Sequence, residues 1–146
     1  MKVLVLGASG FIGKNIVLKA PGNIELTGTY FKNEITIENG HFEYLNYLDE
    51  GLDWKQIIES YSCIIVAARA NAESSIERNA VSHRSKVAFT KMIDAVRESR
   101  LKPFIVALNG SLTYGNRGEE LVRTDDEINP VGFAKSYSIA EKPFRD

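Results

Sequence analysis

Three glycines, Gly7, Gly10 and Gly13, end an apolar run that starts at Val3 and reads Val-Leu-Val-Leu-Gly-Ala-Ser-Gly-Phe-Ile-Gly. A buried strand, a tight glycine turn and a helix start make a junction where a phosphate can sit. Backbone N–H groups at a helix N-terminus point outward without partners, and the helix dipole favours negative charge there. Gly7 can take a backbone angle closed to other residues. Gly10 lets a pyrophosphate approach with no side chain between, and Gly13 lets the helix lie close on the strand. The spacing, G-x-x-G-x-x-G, is one residue longer at its first gap than the G-x-G-x-x-G dinucleotide fingerprint. The strand before and the helix after give the triplet its meaning; without them it would be a packing turn. Other reactive side chains are sparse. His41, His83 and Cys63 stand far apart, so no metal-ligand spacing exists.

Strand-like and helix-like segments alternate around that junction. Lys2–Leu6 reads as the first strand. Phe11–Ala20 reads as a helix with Phe11, Ile12, Ile16 and Val17 on one face, stopping before Pro21-Gly22. Ile24–Phe31 is a second strand, interrupted by Gly28, and His41–Leu45 a short third. Leu52–Ser60 reads as a short helix. Ser62–Ala68 is a continuous apolar run, as expected of a strand buried on both faces, with Cys63 as a small buried hydrophobe. Ile76–Arg100 reads as a long helix and Pro103–Leu108 as the fifth strand. This order predicts an α/β fold, a doubly wound parallel sheet of Rossmann type with helices on both faces and strand order 3-2-1-4-5. Ligands of such sheets bind at the carboxyl ends of the strands, near the switch point between strands 1 and 4, where the glycine turn falls.

Length and composition narrow the partners. The 146 residues suffice for one domain, 1–146, with a proper core. With 44% hydrophobic and 25% charged residues the chain is ordinary for a soluble globular protein. A net charge of −1 and scattered basic residues give no bulk field for nucleic acid or an anionic membrane. No apolar stretch approaches the ~18 residues of a membrane span. No signal peptide precedes the first strand, and one cysteine cannot form an internal disulfide. The expected location is the cytoplasm.

With Gly7-Ala8-Ser9-Gly10-Phe11-Ile12-Gly13 and this element order, the chain resembles the extended short-chain dehydrogenase/reductase family of nucleotide-sugar epimerases, dehydratases and reductases. Asn46-Tyr47-Leu48-Asp49 lies where the family carries D-L-x-D after strand 3. Ala67-Ala68 matches the paired small residues ending strand 4, Tyr114-Gly115 the Y-G after strand 5, and Asn129-Pro130 the family's N-P. The resemblance implies a nicotinamide dinucleotide, with Gly7, Gly10, Phe11, Ile12 and Gly13 cradling its pyrophosphate. It places Asn46 at the adenine, as an amide where the family has an aspartate, and Ala67 and Ala68 along the nicotinamide ribose. Strand 2 ends in Gly28-Thr29-Tyr30-Phe31-Lys32-Asn33 without the acidic residue of NAD-preferring members. A carboxylate would repel a 2′-phosphate and Lys32 would attract one, so the reading leans to NADP over NAD.

The family's catalysis uses a Ser or Thr, a Tyr, and a Lys four residues after the Tyr. Here the matching segment reads Gly132-Phe133-Ala134-Lys135-Ser136-Tyr137-Ser138-Ile139-Ala140-Glu141. One register aligns Glu141 with the family's following glutamate and puts Phe133 at the Tyr position and Tyr137 at the Lys position. The other keeps Tyr137 as the acid but puts Glu141 four residues later, where a carboxylate beside the phenol would raise its pKa. Gly110 stands at the Ser/Thr position, with Ser111 next to it. The triad is degenerate in either register, and Ser111 and Tyr137 are the catalytic candidates that remain. Atypical members share the style of Asn109-Gly110-Ser111-Leu112-Thr113-Tyr114-Gly115-Asn116.

Family members run to roughly twice this length, and their second half forms the substrate lobe. The resemblance therefore covers nearly all of this chain but half of the family's architecture, and the substrate lobe is expected to be absent. It also implies a homodimer through residues 76–100 and 131–143. Three readings stay open: a dinucleotide-binding part of a nucleotide-sugar epimerase, dehydratase or reductase that is truncated or catalytically impaired; a non-catalytic NAD(P)-sensing or regulatory module; and a structural subunit that binds no nucleotide.

Overall fold

The computed structural model describes residues 1–37, 40–69, 72–123 and 125–146. The elements run β1 (Lys2–Leu6), α1 (Phe11–Leu18), β2 (Glu25–Tyr30), β3 (His41–Tyr44), α2 (Trp54–Ile58), β4 (Cys63–Val66), α3 (Ser75–Glu98), β5 (Phe104–Ala107) and α4 (Ala134–Glu141). Two 3-10 turns, Ser111–Tyr114 and Lys142–Phe144, flank α4. The strands form a 5-stranded sheet in the order β3-β2-β1-β4-β5, and every pairing is parallel. This is the expected doubly wound order, with β1 central.

The two faces of the sheet are filled unequally. On one, Leu4 and Leu6 of β1 and Ile64 and Val66 of β4 pack with Trp54 and Ile58 of α2 and Phe89, Met92 and Ala95 of α3. On the other, Val3, Val5 and Ala8 form a smaller cluster, flanked by Ile16 and Val17 of α1. As the central strand of a parallel sheet, β1 is apolar on both sides. The neighbouring β4 was expected to be buried on both faces, yet only Ile64 and Val66 are; Cys63 and Ile65 are half-buried. Their face is that of α1, which packs on β1 and β2 and leaves β4 and β5 less covered. Phe104, register partner of Cys63, is accordingly 71% exposed. Cys63 is thus not a fully buried hydrophobe, although burial still pushes its thiol pKa up.

Helix α1 also departs from expectation. Gly13, Ile16 and Val17 share one face by their spacing of three and four, and Gly13 is the one pressed on the turn. A Cβ on Gly13 would lie 2.3 Å from the Gly7 carbonyl oxygen. Phe11 and Ile12 fall to the side of that face and stand 86% and 54% exposed. Gly28 does not interrupt β2. It pairs with Val5 and Phe42 in the ladder, and a Cβ there would come within 2.7 Å of Ala8 and the Phe42 ring.

Local sequence sets where two helices start. Asp53 accepts a hydrogen bond from the Gln56 N–H at 3.1 Å at the head of α2, and Ser74 accepts one from the Glu77 N–H at 3.1 Å at the head of α3. Both follow the capping-box spacing. α1 begins at Gly10 with no side-chain cap and no acidic residue in its first turn. No helix among the described residues is long and apolar enough to cross a membrane.

Candidate functional site

The chain reverses at the carboxyl end of β1 through Gly7, whose φ is +82. That angle is open to glycine and strained for residues with a Cβ. A Cβ on Gly7 would also strike the Ala68 Cα at 2.6 Å and N at 2.7 Å, so the turn is pressed against the end of β4. The Gly7 N–H donates to Thr29 Oγ1 at 3.1 Å, which ties the turn to β2 as well. Gly10 lines the cleft mouth, and a Cβ there would press on the Gly7 carbonyl oxygen at 3.3 Å.

These strand ends enclose a cleft of about 500 Å³. Its lining includes Gly7, Gly10, Lys32, Asn46, Ala67 and Ala68, six of the nine residues that the sequence assigns to a dinucleotide. Gly13 lies beneath the turn, and Phe11 and Ile12 project to solvent, so what these three can offer the cleft is backbone alone. Lys32 is an exposed residue at the rim. Asn46 follows β3, on a loop fixed by the residue after it: the Tyr47 ring stacks on Phe89 at 5.0 Å and its hydroxyl bonds Ser85 Oγ at 3.1 Å. The Asn46 side-chain oxygen accepts from the Leu48 N–H at 3.2 Å. Its Nδ2 donors are then what it can present to a base edge.

The cleft also contains residues that the motif reading missed. Thr29 and the aromatic Tyr30 and Phe31 line it from β2 and just beyond, and Arg84 from α3. Arg69 lines it from the end of β4. The signal for Arg69 was available, since it directly follows Ala67-Ala68 at a strand end where such sheets bind ligands. Lys32, Arg69 and Arg84 against Glu77 leave the lining cationic, a balance suited to a polyanion. The cradle fits a pyrophosphate: an uncapped helix start, a glycine that puts no side chain between backbone and cleft, and surrounding positive charge.

Neither catalytic candidate lines this cleft. Ser111 and Tyr137 line a second pocket of about 220 Å³, together with Gly110, Thr113, Phe133 and Glu141. Ser111 opens the 3-10 turn that follows β5. Arg69 stands on the wall of both cavities. Its guanidinium covers the Tyr137 ring, 4.0 Å from the centroid, and its Nη2 lies 3.2 Å from Glu141 Oε1. Phe133, 51% exposed, packs edge-on to Tyr137 at 5.7 Å.

In the register that keeps Tyr137 as the acid, Glu141 would act on the Tyr137 phenol. It instead engages two cations and a hydroxyl: Arg69, Arg145 Nη1 at 3.5 Å, and Thr113 Oγ1 at 3.4 Å. With its side chain 13% exposed, burial pushes the Glu141 carboxyl above its usual pKa, while the two arginines and Thr113 pull it back. The sequence could not foretell this, because Arg69 reaches Glu141 from a distant strand.

The sequence matches the NAD dependent epimerase/dehydratase family over residues 3–141. No curated protein matches it. A UDP-glucuronic acid 4-epimerase from Bacillus cereus, solved in complex with NAD, superposes with a TM-score of 0.75 at 16% identity, over 99% of this chain and 52% of its own. A hypothetical dTDP-4-dehydrorhamnose reductase from Sulfolobus tokodaii gives 0.79 at 20% identity, over 98% of this chain and 51% of its own. A UDP-N-acetylglucosamine 4-epimerase from Methanobrevibacter ruminantium gives 0.75 at 18%, over 99% and 49%. The chain thus spans about half the length of these structures and shares their fold. The glycine turn, the parallel sheet around it and the match along almost the whole sequence agree: the chain belongs to the NAD dependent epimerase/dehydratase family.

Proposed function

We propose that this chain is a single domain, residues 1–146, that binds a nicotinamide dinucleotide in the cleft over Gly7 and Gly10. The observation that carries the reading is the open, uncapped cradle at the head of α1, surrounded by Lys32, Arg69 and Arg84. In this reading the α1 N-terminus and Gly10 hold the pyrophosphate. Asn46 donates to the adenine, Ala67 and Ala68 border the nicotinamide ribose, and Lys32 favours the 2′-phosphate of NADP over NAD. The bound dinucleotide would supply hydride exchange with a carbon of the substrate. Related solved structures include enzymes named for UDP- and dTDP-linked sugars, which supports a nucleotide-linked sugar as the parent substrate class.

The protein groups for the accompanying proton transfer are depleted. Phe133 has no proton to give, Gly110 has no hydroxyl, and Tyr137 sits under Arg69 in the second pocket. This favours a chain that binds dinucleotide with impaired catalysis. The arrangement of Arg69 over Tyr137 equally supports the second reading, a non-catalytic module that senses NAD(P) or regulates a partner in the cytoplasm. A homodimer through residues 76–100 and 131–143 belongs to both.

Titration of the full chain with NAD+, NADP+, NADH and NADPH tests the reading. Binding of the reduced forms is expected, tighter for NADPH, and Gly10→Asp is expected to weaken it by more than about a hundredfold with the circular dichroism unchanged. A carboxylate at the helix N-terminus would confront the pyrophosphate directly. Absence of binding by all four at millimolar concentration would leave only the structural-subunit reading. Should turnover of a sugar nucleotide be found, its survival in Tyr137→Phe would remove Tyr137 from the chemistry.

A further inference from the structure

Arg69 is the residue at which the two cavities meet. It follows Ala68, which is in contact with Gly7, so its side chain springs from beside the cradle. It lines both the cleft and the smaller pocket, and its side chain is 43% exposed. Its charge, however, is directed at Glu141 through Nη2. A guanidinium carries five N–H donors in a planar fork, so one carboxylate oxygen does not exhaust it.

Glu141 does not depend on Arg69 alone. Arg145 and Thr113 also reach it, and Thr113 Oγ1 lies 2.9 Å from Asn109 Oδ1. One hydroxyl proton cannot serve both Asn109 and an ionised Glu141. A protonated Glu141 that donates to Thr113, which in turn donates to Asn109, satisfies all three groups. The carboxyl therefore has a hydrogen-bonding partner in either protonation state, Arg69 when ionised and Thr113 when protonated.

We propose that Arg69 is an anion-binding residue of the cleft, held on Glu141 in the free protein and transferred to a ligand phosphate when the cleft fills. This rests on the dinucleotide reading of the cleft. Transfer leaves Glu141 with one cation fewer, so its carboxyl takes up a proton as ligand binds. By linkage, affinity rises as pH falls through the titration range of Glu141, which burial has raised. The charged and titratable groups facing Glu141 are Arg69 from the end of β4, Arg145 from the C-terminal turn and Tyr137 from α4 itself. Tyr47, on the loop after β3, lines a third cavity together with Arg69, Tyr137 and Glu141.

The test is calorimetric titration of the full chain with NADH, NADPH and inorganic pyrophosphate, across pH and in buffers of different ionisation enthalpy. Arg69→Met keeps an apolar cover on Tyr137 and removes the charge; it is expected to weaken all three ligands about tenfold. Glu141→Gln frees Arg69; it is expected to tighten them several-fold and to abolish both the pH dependence and the proton uptake of the wild type. A wild type that binds, with both variants unchanged in affinity, overturns this inference alone. A wild type that binds none of the three overturns the dinucleotide reading with it. If Arg69→Met fails to fold, the wild-type proton uptake and its loss in Glu141→Gln decide the matter.

Discussion

Gly13 shows how a single hydrogen can decide a junction. Its missing side chain is what allows the head of α1 to press on the Gly7 carbonyl, since a methyl would sit 2.3 Å from that oxygen. The obstacle is backbone, which cannot rotate away. Gly13→Ala is therefore expected to cost about 2 kcal/mol or more of stability, measured by thermal or urea unfolding. A change under about 0.5 kcal/mol would mean that α1 moves freely over the turn. This glycine was legible in the sequence because spacing along the chain encodes it. Arg69 was not, because its significance lies in a partner on α4 that the tertiary fold supplies. Tyr137 fell between: its place in the catalytic segment could be read, but the guanidinium that covers it could not.

At the level of elements, the sequence disclosed the five strands and the first three helices and placed their ends less well. Ser62 and Ala68 flank β4 as apolar or small neighbours of a ladder that ends at Cys63 and Val66, since a run of side chains does not record where backbone pairing stops. Glycine misled within β2, where Gly28 makes room for Ala8 and Phe42. A cap sets the start of the long helix. Ser74 holds the Glu77 N–H at 3.1 Å, and Ser74→Ala is expected to lower stability by about 1 kcal/mol in denaturant melts. Because the head of α3 carries Glu77 and Val81 into the cleft, the same variant is expected to weaken dinucleotide binding through fraying, with Asp53→Ala at α2 as the comparison.

For the whole molecule, the outer side of α3 invites association. Ile76 and Val87 are 83% and 57% exposed and share a stripe with the exposed Ala80 and His83, while the inner side of the helix fills the core. A dimer through this stripe and α4 is expected in sedimentation at micromolar concentration, and Val87→Glu is expected to dissociate it. A monomeric wild type would count against the assignment of residues 76–100 and 131–143.

The contact between Gly7 and Ala68 also orders events in time. It joins the ends of β1 and β4, strands that pair in parallel although α1, β2, β3 and α2 intervene in the chain. Pairings that close such long loops come at an entropic cost before they are rewarded, and parallel sheets assemble slowly for that reason. The cradle is thus complete only when the middle of the sheet is. A ligand that grips it has little to hold before the rate-limiting step and much to lose afterwards. Saturating NADH is expected to slow unfolding in stopped-flow denaturant jumps while leaving the refolding rate nearly unchanged, so the turn would act as the clasp that keeps a folded molecule shut.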